Sequence, residues 1–500
     1  MAQTPPRPRR KPVEDFALGP VMTALDAIEL NGADVAAALT AMRKSGKLHA
    51  GHTSWAESAV LCYLRARERT EAERRALGRP GTRAVRAQWT EIRGRETPDG
   101  RGATRYERTA WGRRYESADG TERELWLLSV NSVKENRPAA EIAEAAAVAA
   151  AGIPAQAAFQ DIYRPVPGNT RRPDRIRIIG VGCGSGDHAV LADWDFTEAQ
   201  RQFELHAKPV LGRVVEGDRL NPGSSCTRCE GLVGCELPRR VPGLLGVPGP
   251  RRPRKRRSVS PTDLRIHARC PAQFHLTRVL HLSSSKAESE AIRRGRAVDD
   301  WLNEQHGEGG CRDVPLPDAL PRLSEDEQQA ALSMLAQHQR ACPLDGLPPS
   351  ETVRVQERLS AYDPELDVVL IADPDLLYTR SGGWIWHETK TAAHRPWEGQ
   401  ELMAAHPQLA FAVLMMSAGV PGGDPRRSLI ELEVLYEDGA RCEEIDPGDP
   451  DTQAAARRII AGLAGPWAVD ETYAPATGDH CSGCEAAAHC AAGRSYLEAR

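Results

Sequence analysis

The chain has 500 residues, 41% of them hydrophobic and 27% charged, with a net charge of −4. That length exceeds one ordinary domain, and the composition is that of a globular protein expected to fold as two. The small net charge excludes a global basic field, so any nucleic-acid surface has to be local.

The opening segment, MAQTPPRPRRKPVEDF, carries basic residues and no apolar stretch, so no signal peptide is expected. The expected setting is cytoplasmic and reducing, where the twelve cysteines favour metal ligation over disulfides. Helix comes first and contains Cys62. The run from Thr104 to Glu135 then reads as strand, turn and strand. An alanine-rich stretch from about Ala139 to Phe159 follows. It includes Glu141 and Glu144, which marks a soluble helix and excludes a membrane span. RIIGVGCGSGD, Arg177 to Asp187, resembles the glycine loop of a methyltransferase. The HAVLADWD that follows reads as a strand, so the segment is expected to be a hairpin with a Gly-Ser-Gly turn. Cys226, Cys229 and Cys235 form a C-x2-C-x5-C triplet.

From Val241 to Ser260, proline and glycine give way to a basic run, Arg251 to Arg257. This predicts an exposed linker, with a phosphate-contacting strap as the alternative. The second half repeats the plan. Cys270 opens it. VRVQERLSAY, DVVLIADPDLLY and GWIWHETKTA read as strands, and apolar spacing through Gln408, Phe411 and Met415 predicts a helix. Cys481, Cys484 and Cys490 close it with the same C-x2-C-x5-C spacing. The predicted organisation is therefore a module over 1–247, a linker over 248–260 and a module over 261–500.

Asp375, Glu388 and Lys390 carry the chemistry. Glu388 and Lys390 are two apart on a predicted strand, so they project to one face, and an antiparallel neighbour can bring Asp375 beside them. Two carboxylates suit Mg²⁺ or Mn²⁺. Such an ion lowers the pKa of a bound water and offsets charge on a phosphate. The ammonium can orient that water or stabilise developing negative charge. Of eight lysines, Lys390 is the one with an acid two residues before it.

These residues resemble the PD-(D/E)XK nuclease superfamily, in its RecB-like branch. The resemblance runs through Ile371-Ala372-Asp373-Pro374-Asp375, His387-Glu388-Thr389-Lys390-Thr391 and Gln408-Leu409-Ala410-Phe411. The last is similar to the family's Q-x-x-x-Y helix, with Phe411 in place of tyrosine. Arg294-Gly295-Arg296-Ala297-Val298-Asp299 is similar to its G-x-x-x-H helix, with Asp299 where the family has a histidine ligand. The resemblance implies an α/β fold with a restriction-endonuclease-like core, a mixed central sheet flanked by helices. It implies Asp375, Glu388, Lys390 and Gln408 as catalytic residues, and Asp299, Asp375 and Glu388 as ligands of Mg²⁺ or Mn²⁺. The RecB-like nucleases that hold an iron–sulfur cluster, AddB and the CRISPR-associated ones among them, place one cysteine before the core and three after. That implies a [4Fe–4S] cluster on Cys270, Cys481, Cys484 and Cys490.

The triplet Cys226, Cys229 and Cys235 is expected to hold a second cluster or Zn²⁺, with Cys62 as the preferred fourth ligand and Cys183 as the competitor. Cys311, Cys342 and Cys442 are expected to be plain thiols. WLLSVNSVK, Trp126 to Lys134, falls where the E-T-K strand belongs and offers Asn131 and Ser132 instead of acids. The first module therefore reads as a degenerate copy. The expectation is a metal-dependent DNA nuclease acting on single strands or free ends, in repair, recombination or defence. No helicase motif is present, so a separate helicase or a CRISPR or repair protein is the expected partner, and no membrane is involved. The alternative is a non-catalytic iron–sulfur DNA-binding or scaffold protein.

Overall fold

The computed structural model describes residues 13–96, 103–158, 161–217, 220–249, 254–282, 288–393 and 401–499. They form two compact units. The N-terminal unit comprises Pro12–Arg219, His275–Ser284 and Thr477–Arg500, and the C-terminal unit comprises Leu220–Phe274 and Ser285–Ala476. No described helix is long and apolar enough to cross a membrane.

In the N-terminal unit a long helix, α1 (Ala50–Ala76), precedes a five-stranded sheet in the order β1 (Thr82–Ala84), β2 (Arg113–Ser117), β3 (Glu122–Ser129), β4 (Arg175–Gly182) and β5 (His188–Trp194). All neighbours are antiparallel except β3 and β4. A parallel pair needs a crossover, and α2 (Ala139–Ala151) supplies it. Ala145 to Ala150 are all buried, so this part of the helix is apolar on every face. The helix stops eight residues short of the predicted Phe159. Gly152 and Pro154 end it, and the chain turns into a strand, Ile153–Gln156. Phe159 itself lies outside the described residues. Strand β3 is buried along its length. Its Glu124 is tolerated there because Arg74 (2.9 Å), Arg177 (2.8 Å) and the Trp126 indole (3.0 Å) donate to it. The glycine-rich segment is the β4–β5 hairpin, as its sequence predicts.

In the C-terminal unit two helices, α3 (Glu290–Glu308) and α4 (Glu325–Gln339), precede a second five-stranded sheet. Its order is β6 (Val353–Val355), β7 (Leu376–Arg380), β8 (Gly383–Thr391), β9 (Leu429–Tyr436) and β10 (Gly439–Ile445). Here too all neighbours are antiparallel except one pair, β8 and β9, and a buried crossover helix, α5 (Pro407–Ser417), joins them. The two sheets thus share strand order, polarity and the place of the crossover. Ser289 caps α3, and a reciprocal Ser324–Glu327 box caps α4. Glu327 also pairs with Arg293 at 2.8 Å, tying the two helices together. Val298, Trp301, Leu302, Met334 and Leu335 then pack with Leu376, Tyr378 and Ile385.

Three sequence expectations change. The run DVVLIADPDLLY is two strands in two sheets. Val368–Ala372 belongs to a four-stranded sheet with Arg239–Arg240, Leu359–Asp363 and Arg257–Val259, and the chain leaves it at Asp373-Pro374-Asp375 for β7. A proline cannot donate to a ladder, so the break falls there. The predicted linker is part of this unit. Arg257–Val259 pairs in parallel with Val368–Leu370. The described arginines of the run make contacts within the unit. Arg254 donates to the Val469 and Asp470 carbonyls, Arg256 pairs with Asp367 at 2.6 Å, and Arg257 stacks over Trp467 at 4.0 Å. Arg251, Arg252 and Pro253 lie outside the described residues.

The cysteine triplets also change sides. Cys226, Cys229 and Cys235 belong to the C-terminal unit, where Cys226 packs against a cluster of Leu232, Tyr362, Val369 and Ile371. Cys481, Cys484 and Cys490 belong to the N-terminal unit, where Cys484 is part of the core with Trp55, Val60 and Cys183. Cys62 and Cys183, the partners expected for the first triplet, fall in the N-terminal unit, and Cys270, the partner expected for the second, falls in the C-terminal unit.

Candidate active site

The β7–β8 hairpin sets the geometry. Arg380 pairs with Gly383, leaving Ser381 and Gly382 as a two-residue turn with φ of +53° and +82°. Two consecutive positive φ values mark the tight hairpin turn whose twist matches the strands, and Gly382 supplies one without strain. That turn fixes the register Leu376 to His387. One step further, Asp375 falls opposite Glu388.

The side chains meet there. The Lys390 ammonium donates to Glu388 Oε2 at 3.1 Å and to Asp375 Oδ2 at 3.3 Å. The Thr389 backbone N–H also donates to Asp375 Oδ2, at 2.9 Å. The Trp386 indole holds Glu388 Oε1 at 2.9 Å. Glu388 is buried, and burial, opposed by Lys390 and reinforced by Asp375, raises its carboxyl above the usual range. Burial by itself would lower the Lys390 ammonium, but Glu388 and Asp375 outweigh it and hold the ammonium above its ordinary value.

Helix α3 brings the third carboxylate. A Cβ on Gly295 would lie 3.1 Å from Thr391 Oγ1, so the glycine lets α3 come close against β8. Asp299, one turn on, is pushed up to about 6 by burial and by the charge of Asp375, with Lys390 and Asn303 acting the other way. Asp375 acts on both Asp299 and Glu388, raising the carboxyl of each, and hard oxygen donors of this kind suit a divalent ion such as Mg²⁺ or Mn²⁺. Asp299, Asp375 and Glu388 would hold it. Gln408 stands in the first turn of α5 and is half-buried.

Sequence reasoning missed three neighbours. Gln356 lies 3.5 Å from both Asp375 Oδ1 and Asn303 Oδ1, and Asn303 in turn bonds Asp299. Gln356 has a φ of +50°, a conformation that non-glycine residues rarely adopt and that often marks a site. The imidazole of His406 is lowered by burial and by the Lys390 and Arg265 charges. Its place two residues before Gln408 was the one signal in the sequence.

In the N-terminal sheet the register pairs Arg113 with Trp126. Gly112 and Leu127 therefore stand where the other sheet has Asp375 and Glu388, and Ser129 stands where it has Lys390. Leu127 packs on α2 beside Ala145 and Ala149. Asn131 and Ser132, the expected replacements, lie beyond the end of β3.

Several cysteine sulfurs accept backbone N–H groups: Cys226 from Gly223 (3.4 Å), Cys490 from Gly493 (3.3 Å) and Cys270 from Ala476 (3.5 Å). Cys442 is exposed. Cys311 and Cys342, expected to be plain thiols, are free and buried. Both are buried beside His306 and His338, with four donor atoms within 4.8 Å of one another.

Residues 258–491 match the family model of the PD-(D/E)XK nuclease superfamily. That match and the mixed sheet flanked by helices agree with the expected restriction-endonuclease-like α/β class. No curated protein matches. Among solved structures, SSO0001 is 16% identical, with 47% of this chain and 86% of that one covered and a TM-score of 0.25. A Eubacterium rectale protein described as a "Putative exonuclease" is 11% identical, with 43% and 82% covered and a TM-score of 0.30.

Proposed function

We propose that the C-terminal unit is a metal-dependent deoxyribonuclease that hydrolyses phosphodiester bonds, with Asp375, Glu388 and Lys390 as its catalytic residues. The observation that carries this reading is the Lys390 ammonium seated between two carboxylates, with Asp299 on α3 near enough for the charges of Asp375 and Lys390 to act on it. A divalent ion bound there supplies an activated water and offsets charge on the phosphate. The chain's own residues do the rest. Asp375 is held in place by the Thr389 N–H, and Glu388 by the Trp386 indole. Lys390 faces the position where a phosphate oxygen gains charge, which is where a fixed cation contributes most. His406 is near enough to Lys390 to feel its charge, and Gln408 follows two residues later in the first turn of α5.

Single strands or free ends are the substrate favoured by the RecB-like resemblance, with repair, recombination or defence as the setting and a separate motor as partner. The same resemblance supports a [4Fe–4S] cluster on Cys481, Cys484 and Cys490 with Cys270 as fourth ligand. The matching order and polarity of the two five-stranded sheets support a duplication whose N-terminal copy lost its carboxylates.

The test is cleavage of end-labelled single- and double-stranded DNA in Mg²⁺ and Mn²⁺. Glu388→Ala, Asp375→Ala and Lys390→Ala should each lower the rate by at least ~10²-fold while DNA binding persists. Wild-type rates in Glu388→Ala and Lys390→Ala would leave the strand pair without a catalytic role and favour a non-catalytic DNA-binding protein.

A further inference from the structure

Helices α3 and α4 each carry a histidine in the last turn and a cysteine just past the end: His306 with Cys311, and His338 with Cys342. Folding brings the two pairs together. His306 Nε2 lies 3.1 Å from His338 Nε2 and 3.6 Å from Cys342 Sγ. A tetrahedral ion with the usual Zn–N and Zn–S lengths sets nitrogens about 3.3 Å apart and nitrogen and sulfur about 3.6 Å apart. The four residues are 0–5% exposed. Their surroundings are apolar: Trp301, Leu302, Met334, Leu335 and Leu344 line the same core.

The supporting contacts are those of a prepared site. The Nδ1 of His338 lies 2.7 Å from Glu433 Oε2, which turns Nε2 toward the cluster. Glu433 is itself buried and lies 3.5 Å from His387. A carboxylate behind a ligating histidine fixes its tautomer and raises its basicity. The loop that carries Cys311 is pinned independently. Gln339 donates to the carbonyls of Cys311 (3.1 Å) and Val314 (2.6 Å). A Cβ on Gly310 would meet Asp345 Oδ1 at 2.3 Å, so a larger residue there would displace the Asp345 carboxylate.

We propose that His306, Cys311, His338 and Cys342 bind one structural Zn²⁺ that fastens the ends of α3 and α4 to each other. Four protein ligands close the shell, so the ion takes no part in hydrolysis. Its effect on the active site is indirect: it fixes the helix that carries Asp299 two turns upstream. The inference does not depend on the nuclease reading, since it concerns a separate set of ligands.

The experiment uses the full-length protein from zinc-supplied culture, with metal content by mass spectrometry and the ligand shell by zinc-edge X-ray absorption. About one zinc per chain is expected, with a mixed shell of two nitrogens at about 2.0–2.1 Å and two sulfurs at about 2.3 Å. Cys311→Ser/Cys342→Ser should lower zinc content at least ~10-fold, whereas Cys481→Ala/Cys484→Ala should leave that mixed shell in place. If the first double variant does not fold, the wild-type shell decides alone. A zinc-free wild type, an all-sulfur shell, or full zinc retention in a folded Cys311→Ser/Cys342→Ser protein overturns the proposal.

Discussion

Lys390→Met keeps the length and apolar stem of the side chain and removes only its ammonium. In the metal-free protein that ammonium is 3.1 Å from Glu388 and 3.3 Å from Asp375, and Glu388 is 5% exposed. Taking one partner from a fully buried pair costs about 3–5 kcal/mol, because the other charge is left uncompensated. The Lys390 side chain is 34% exposed, so water screens part of the interaction and about 2 kcal/mol is the better figure. For a domain of this size that lowers the melting temperature by about 4–8 °C in EDTA. The deficit should shrink as pH falls, since Glu388 can then take up a proton and shed its charge. Mn²⁺ should stabilise the variant more than the wild type, because the ion meets two carboxylates with no competing ammonium. At a hundredfold excess over Kd the ion contributes about 2.7 kcal/mol. Cleavage should nevertheless remain at least ~10²-fold down, separating the lysine's catalytic effect from its structural one. Thermal unfolding by circular dichroism, in EDTA and in Mn²⁺, checks the first part, and the end-labelled DNA assay checks the second. An unchanged melting temperature in EDTA together with wild-type cleavage would refute the reasoning.

The Asp299 carboxyl, pushed up to about 6, holds its proton below that pH and must lose it to ligate. Mn²⁺ affinity in calorimetric titrations should therefore fall as pH drops through about 6, approaching ~10-fold per unit. Asp299→Asn should show a weaker affinity without that limb, and equal slopes for the two proteins would rule the aspartate out as a ligand. Anaerobically purified protein should be brown, with absorbance near ~400 nm and bound iron. Cys484→Ala should lose the colour and the iron, and a colourless wild type with zinc held by sulfur alone would exclude the cluster.

The sequence alone determined what depends on near neighbours. Alternating strands, the two-residue spacing of Glu388 and Lys390, and the short hairpin that returns Asp375 to them are all local, and side-chain parity along a strand follows from covalent geometry. The cysteine triplets were legible for the same reason, since their spacing is a few residues. What only the tertiary structure decided depends on distant segments. The basic run was read as a tether because composition does not show that Arg256 finds Asp367, or that residues 257–259 find an edge of a sheet. The triplets were assigned to the halves that contain them, whereas packing places each in the other unit. The degenerate positions Gly112 and Leu127 appear only once pairing gives a register. The four-residue His/Cys site was invisible because its two pairs sit on separate helices some thirty residues apart in sequence. Neither pair's spacing is distinctive, and only the packing of α3 against α4, driven by their apolar faces, carries the four donors to one point.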